Sequence, residues 1–156
     1  MESVYIETSV VSYLTARISH DPVVASRQRL TREWWENRRE SFQCVTSQEV
    51  LDEASAGDSQ IVARRLAALR DIPRIAGGIA ARELAAELIS AGLFPSNAAV
   101  DALHLTTATL GKVDYLLTWN YRHLANAVIL HHLEKFLARR GFMLPRVCTP
   151  EELGGE

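Results

Sequence analysis

The stretch Ser3-Val4-Tyr5-Ile6-Glu7-Thr8-Ser9 decides how the rest of the chain is read. A short β-prone run with no polar alternation leads straight into an acid and two hydroxyl residues. A strand with one wet face alternates polar and apolar residues. A continuous apolar strand is covered on both faces, as in a parallel sheet. Thr8 or Ser9 then suits the N-cap of a helix carrying Val10, Val11, Leu14 and Ile18. The pattern recurs twice. Phe42-Gln43-Cys44-Val45-Thr46 leads to Ser47, a second cap, and Tyr115-Leu116-Leu117-Thr118-Trp119 leads to Asn120. Arg146-Val147-Cys148 is a fourth strand candidate.

Helical segments fill the intervals. One opens at Asp21-Pro22, with proline at its first position, and runs to about 39. Others cover roughly 48–56, stopping at Gly57, and the residues after the cap Asp58, with Ile61, Leu66 and Leu69 on one face. Ile72-Pro73-Arg74-Ile75 is a short extended piece; 80–91 is helical up to Gly92; Ser96 caps a helix reaching Gly111; a last helix covers about 125–140. Strands alternating with helices predict an α/β fold, a three-layer α/β/α sandwich around a central, mostly parallel sheet of four to five strands. No repeat, linker or low-complexity tract interrupts it, so 1–156 reads as a single domain.

The composition narrows the function. Of 156 residues, 47% are hydrophobic and 23% charged, as in ordinary folded domains, and 17 cations against 19 anions leave a net charge of −2. That excludes a strongly basic wrapper of nucleic acid. Arginine nevertheless supplies 15 of the 17 cations. The weakly polar stretch 75–94 is broken by Arg82, Glu83 and Glu87, so it is not a membrane span. The N-terminus lacks the basic and apolar regions of a secretory signal, and Cys44 and Cys148 fit no metal or redox spacing. A cytoplasmic protein is the expectation.

Ligands of open α/β sheets gather at the carboxyl ends of the strands, and acids fall there. Glu7 follows the first strand, Glu49 and Glu53 share a face of the helix after the second, and Asp101 opens the helix before the third. Carboxylates converging from separate elements repel one another unless a hard cation such as Mg²⁺ or Mn²⁺ lies between them. Two plainer readings stand beside this one. Glu49 can be a solvated helix residue, and Asp101 is favourable at a helix N-terminus whatever the function.

At these residues the chain resembles the PIN-domain proteins. Tyr5-Ile6-Glu7-Thr8-Ser9-Val10-Val11 resembles their opening acidic segment, Ser47-Gln48-Glu49-Val50-Leu51-Asp52-Glu53 the second, Asp101-Ala102-Leu103-His104-Leu105-Thr106-Thr107-Ala108 the third, and Leu116-Leu117-Thr118-Trp119-Asn120 the fourth. The four run in order over nearly the whole chain. The resemblance implies a VapC-like toxin: a ribonuclease dependent on Mg²⁺ or Mn²⁺, commonly a homodimer, acting on RNA and neutralised by an antitoxin protein. Carried over by position, Glu7, Glu53 and Asp101 are the metal ligands and Asn120 the fourth catalytic position. Thr118 is the hydroxyl beside the site, with Glu49 and Thr8 as auxiliaries. The family's first acid is usually Asp and its fourth often Asp; Glu7 and Asn120 follow a variant that reads Glu-Thr-Ser and Thr-Trp-Asn. Asn120 brings no charge, which keeps open a second reading, a catalytically weak or inactive PIN-like module that binds RNA or a protein.

The remaining polar and aromatic residues read more plainly. His104, on a largely apolar helix, reads as a packed residue, and His123 as a substrate contact or a turn cap. His131-His132 has no ligand-like partner. Trp34-Trp35 reads as a core or interface anchor before a base-stacking pair.

Overall fold

Val4, Tyr5 and Ile6 are each 0% exposed, although successive side chains of a strand point to opposite faces. The sheet they belong to is therefore covered on both sides. The structure is a computed structural model describing residues 1–155; Glu156, the last residue of the expected domain, lies outside the described residues. Its sheet has four strands, β1 (Ser3–Ile6), β2 (Gln43–Val45), β3 (Tyr115–Leu117) and β4 (Arg146–Cys148), in the order β2-β1-β3-β4. Every pairing is parallel, with Tyr5 opposite Val45 and Leu116, and Leu117 opposite Cys148. Seven α-helices complete a three-layer α/β/α arrangement: α1 (Thr8–Thr15), α2 (Pro22–Asn37), α3 (Gln48–Ala54), α4 (Ser59–Leu69), α5 (Gly78–Ser90), α6 (Ala99–Leu110) and α7 (Ala127–Arg139). None is long and apolar enough to cross a membrane.

Local chemistry explains most boundaries. Asp21 and Asp58 accept two backbone N–H groups each at the starts of α2 and α4, and Ser47 accepts Val50 N–H at the start of α3. Three boundaries differ from expectation. The first helix stops at Thr15, leaving Ile18 54% exposed, and the last starts at Ala127 because Asn126 takes the cap. Ser96 caps nothing with its side chain; it begins a short 3₁₀ turn (Ser96–Ala98) that feeds α6. The expected strand at 42–46 shortens to β2, and the extended piece at 72–75 runs beside its end. There Thr46 forms an isolated parallel bridge with Arg74.

The core joins both faces of β1 to Val50, Ala54, Leu88, Ala102, Leu105, Leu116, Leu117 and Leu133. Trp34 is part of it, 1% exposed and stacked on Phe42 at 5.9 Å, so it is a core anchor. Trp35 is half-buried beneath the Arg39 guanidinium. Helix α6, which carries Asp101 and His104, is clamped between the sheet and α5. Gly77 permits that approach, since a Cβ there would stand 2.8 Å from Thr107 Oγ1.

Candidate functional site

Because the strands are parallel, the residues that follow them collect along one edge of the sheet. From β1 the chain winds to β2 on one side and later to β3 on the other. The winding thus reverses between β1 and β3, the place where open α/β sheets bind ligands. Glu7 and Thr118 stand on the two sides of that gap.

Glu7 is 4% exposed, unusual for a carboxylate without a Lys or Arg partner. Its side chain, not that of Thr8 or Ser9, caps α1, accepting Ser9 N–H at 3.1 Å. The hydroxyls of Ser9 and Thr118 both donate to Oε1 at 2.5 Å. Thr118 Oγ1 also accepts Asn120 N–H at 3.0 Å, which ties the end of β3 to the same carboxylate.

Freed from capping, Thr8 donates its hydroxyl to Glu53 Oε1 at 2.6 Å from the first turn of α1. His104 reaches the same oxygen through Nε2 at 2.5 Å. The other ring nitrogen, Nδ1, lies 2.8 Å from the Tyr5 hydroxyl, which lies 2.6 Å from Ser47 Oγ. A doubly protonated ring satisfies the whole chain: Nε2–H donates to Glu53, Nδ1–H to Tyr5, Tyr5 O–H to Ser47, and Val50 N–H to Ser47 as well. Burial works against a charged imidazole. The bond to Glu53 and the fields of Glu7, Glu53 and Asp101 outweigh it and raise His104 above its ordinary range. For Glu53, burial pushes upward, but the bonds from His104 and Thr8 win and hold the carboxyl low. Desolvation drives the Tyr5 phenol strongly upward, so it stays neutral.

His104 is thus not merely packed. Glu7, Glu53 and His104 each offer a donor atom within 4.8 Å of the others. The spacing Asp101-x-x-His104 put both residues on one helix face, and this was the signal that could have revealed it. Asp101 is the less tightly gathered acid. It sits in the first turn of α6, its Oδ2 bonded to His123 Nδ1 at 2.9 Å, with both side chains about four-fifths buried. Asn120 Oδ1 accepts His123 N–H at 3.0 Å and so fixes the turn that carries this histidine. Glu49 is half-buried one turn before Glu53, and its charge acts on Tyr5. His131 and His132 are exposed on α7, away from these groups.

Comparison of the sequence with family models, and with curated proteins, gives no match. The fold does have a solved counterpart. The chain is similar to one in the crystal structure of VapBC2 from Rickettsia felis bound to a DNA fragment from their promoter. The TM-score is 0.53 at 16% identity, over 94% of this chain and 98% of that one. At that identity the likeness is one of fold.

The donor set suits a hard divalent cation. Three carboxylates come from three elements, and among the described residues none of them pairs with Lys or Arg. Their side-chain partners include two imidazoles, His104 at Glu53 and His123 at Asp101. Oxygen donors of this kind favour a hard ion such as Mg²⁺ or Mn²⁺.

The His104–Glu53 pair makes stability depend on pH in the metal-free protein. A raised histidine stabilises fully below its ordinary value of 6.5, and that contribution is lost as pH rises through its folded value. A lowered glutamate stabilises above its ordinary value of 4.5, and that contribution is lost as pH falls through its folded value. Thermal melting in a chelator is expected to peak between those two values and to decline above neutrality. His104→Gln is expected to flatten the alkaline limb; a Tm that climbs from pH 7 to 8 would oppose this picture.

Proposed function

We propose that this single domain is a metal-dependent endoribonuclease of the PIN type, the toxin of a toxin–antitoxin pair. The observation that supports the reading best is the gathering of Glu7, Glu53 and His104 donor atoms within 4.8 Å of one another beside the switch point of the sheet, with the charge of Asp101 acting on His104 and, among the described residues, no Lys or Arg paired with these acids. The fold likeness to a chain of VapBC2 supports it. The same reading gives the protein an RNA substrate, an antitoxin partner, a second copy of itself and a cytoplasmic setting.

Glu7, Glu53 and Asp101 would hold Mg²⁺ or Mn²⁺, which when bound lowers the pKa of a water and stabilises charge on a phosphodiester. This chain's own residues do the rest. Ser9 and Thr118 fix the Glu7 carboxylate in one orientation, and Thr8 and His104 fix Glu53. Tyr5 and Ser47 hold the His104 ring, and His123 holds Asp101. Glu53, or Glu49 one turn before it, would accept a proton from the attacking water. Asn120 contributes position, not charge, through the turn it caps.

The test is cleavage of a labelled single-stranded RNA with Mn²⁺ or Mg²⁺ and with a chelator. Cleavage that needs the metal supports the reading. RNA left intact at millimolar metal sinks it in favour of an inert PIN-like module, the reading to which uncharged Asn120 points.

A further inference from the structure

The loop that leaves β3 carries a feature the carboxylates do not use. Tyr121 is 44% exposed, the one aromatic ring among the large exposed apolar side chains of the described residues. Its edge meets Trp119 at 6.3 Å between centroids. Trp119 is held rigidly, 4% exposed, with Nε1–H donating to Thr31 Oγ1 at 2.8 Å and Tyr13 edge-on at 6.0 Å. Across both rings lies Arg27 of α2, its Cζ 5.0 Å from the Tyr121 centroid and 5.7 Å from that of Trp119. Among the described residues no carboxylate pairs with this guanidinium.

The ledge is joined to the acids through short links. Trp119 N–H donates to Ser9 Oγ at 2.8 Å, and Ser9 Oγ donates to Glu7. On the other side Asn120 caps the turn of His123, which holds Asp101. An arginine spread over aromatic rings keeps its planar donors in a fixed plane and free for a phosphate. A partly exposed ring such as Tyr121 takes a nucleobase, but only an unpaired one, because a duplex hides its bases from stacking. The chain's net charge of −2 repels RNA as a whole, so a local cation is needed to bring a strand to an acidic cleft.

Resting on the nuclease reading, we infer that Tyr121 and Arg27 form a substrate subsite for single-stranded RNA, with a base stacked on Tyr121 and an adjoining phosphate held by Arg27. The subsite selects single strands over duplexes and sets where along the strand the cut falls.

Fluorescence anisotropy tests it, using a fluorescein-labelled single-stranded RNA oligonucleotide, and the same RNA annealed to its complement, on the Asp101→Asn protein so that nothing is cleaved. The single strand is expected to bind at least about tenfold more tightly than the duplex. Tyr121→Ala is expected to weaken single-strand binding about tenfold, while Tyr121→Trp retains it. Arg27→Gln is expected to flatten the dependence of log Kd on log salt by about one phosphate contact, and Arg27→Lys to restore the slope. Thermal melting of each variant keeps folding defects separate. Binding undisturbed by Tyr121→Ala and Arg27→Gln overturns the subsite while leaving the nuclease reading intact. An Asp101→Asn protein that binds no single strand, beside a wild type that cuts none with Mn²⁺, overturns both.

Discussion

Asp101→Asn and Glu53→Gln are each expected to lower metal-dependent RNA cleavage by at least about a hundredfold, because loss of a mere outer-shell partner of a metal site commonly costs 10–100-fold. Both substitutions keep the shape of the side chain and remove its charge. Asparagine at 101 still offers an oxygen to His123, and glutamine at 53 still offers one to Thr8 and His104, so the fold has little reason to change. What disappears is the anionic oxygen that makes a hard cation bind. Glu83→Gln, on the exposed face of α5, is the control and should cleave like wild type. Initial rates on one labelled RNA decide the matter. Undiminished cleavage in both site variants would remove these residues from the chemistry.

The second large effect is on stability. His104→Ala is expected to cost about 2–4 kcal/mol in the metal-free protein near pH 6, where the ring is charged. The ring is wholly buried, so its removal leaves a void beneath the sheet edge and strips one partner from the Tyr5 hydroxyl. The bond to Glu53 adds less, since that side chain is 37% exposed and water screens it. His104→Gln, which still reaches toward Glu53 with an N–H, should lose roughly half as much. Urea unfolding in chelator measures both. A loss below about 0.5 kcal/mol for His104→Ala would mean that the Glu53–His104–Tyr5–Ser47 chain contributes little to folding.

The sheet was legible because β1 and β3 carry no polar alternation, and local runs of that kind mark parallel strands wherever they occur. The helix ends were legible where an Asp or Ser stands just before an apolar face, as at Asp21, Ser47 and Asp58. They were not at Glu7. A glutamate seldom caps, and Thr118, 111 residues away, joins Ser9 in holding its longer side chain in the capping position. Long separations in sequence also hid the partners of His104, although its spacing from Asp101 marked the helix face. Its environment is made by Tyr5, 99 residues away, and Glu53, 51 residues away, and no local pattern encodes either contact. The early acids were visible one at a time. The approach of Glu7 to Glu53 and His104 depends on how the elements assemble around the order β2-β1-β3-β4, a property of the whole sheet. Arg27 was hidden in the same way, since it acquires a setting only when Trp119 and Tyr121 fold against α2.

Titration calorimetry with Mn²⁺ is the most direct measurement of whether these carboxylates act as one site. The metal-free wild type is expected to take up Mn²⁺ saturably below millimolar concentration, Asp101→Asn and Glu7→Gln to bind it at least about tenfold more weakly, and Asn120→Asp to bind it more tightly. Uptake unchanged by the loss of either acid, or none by the wild type at millimolar Mn²⁺, would contradict a shared metal centre at the head of β1 and β3.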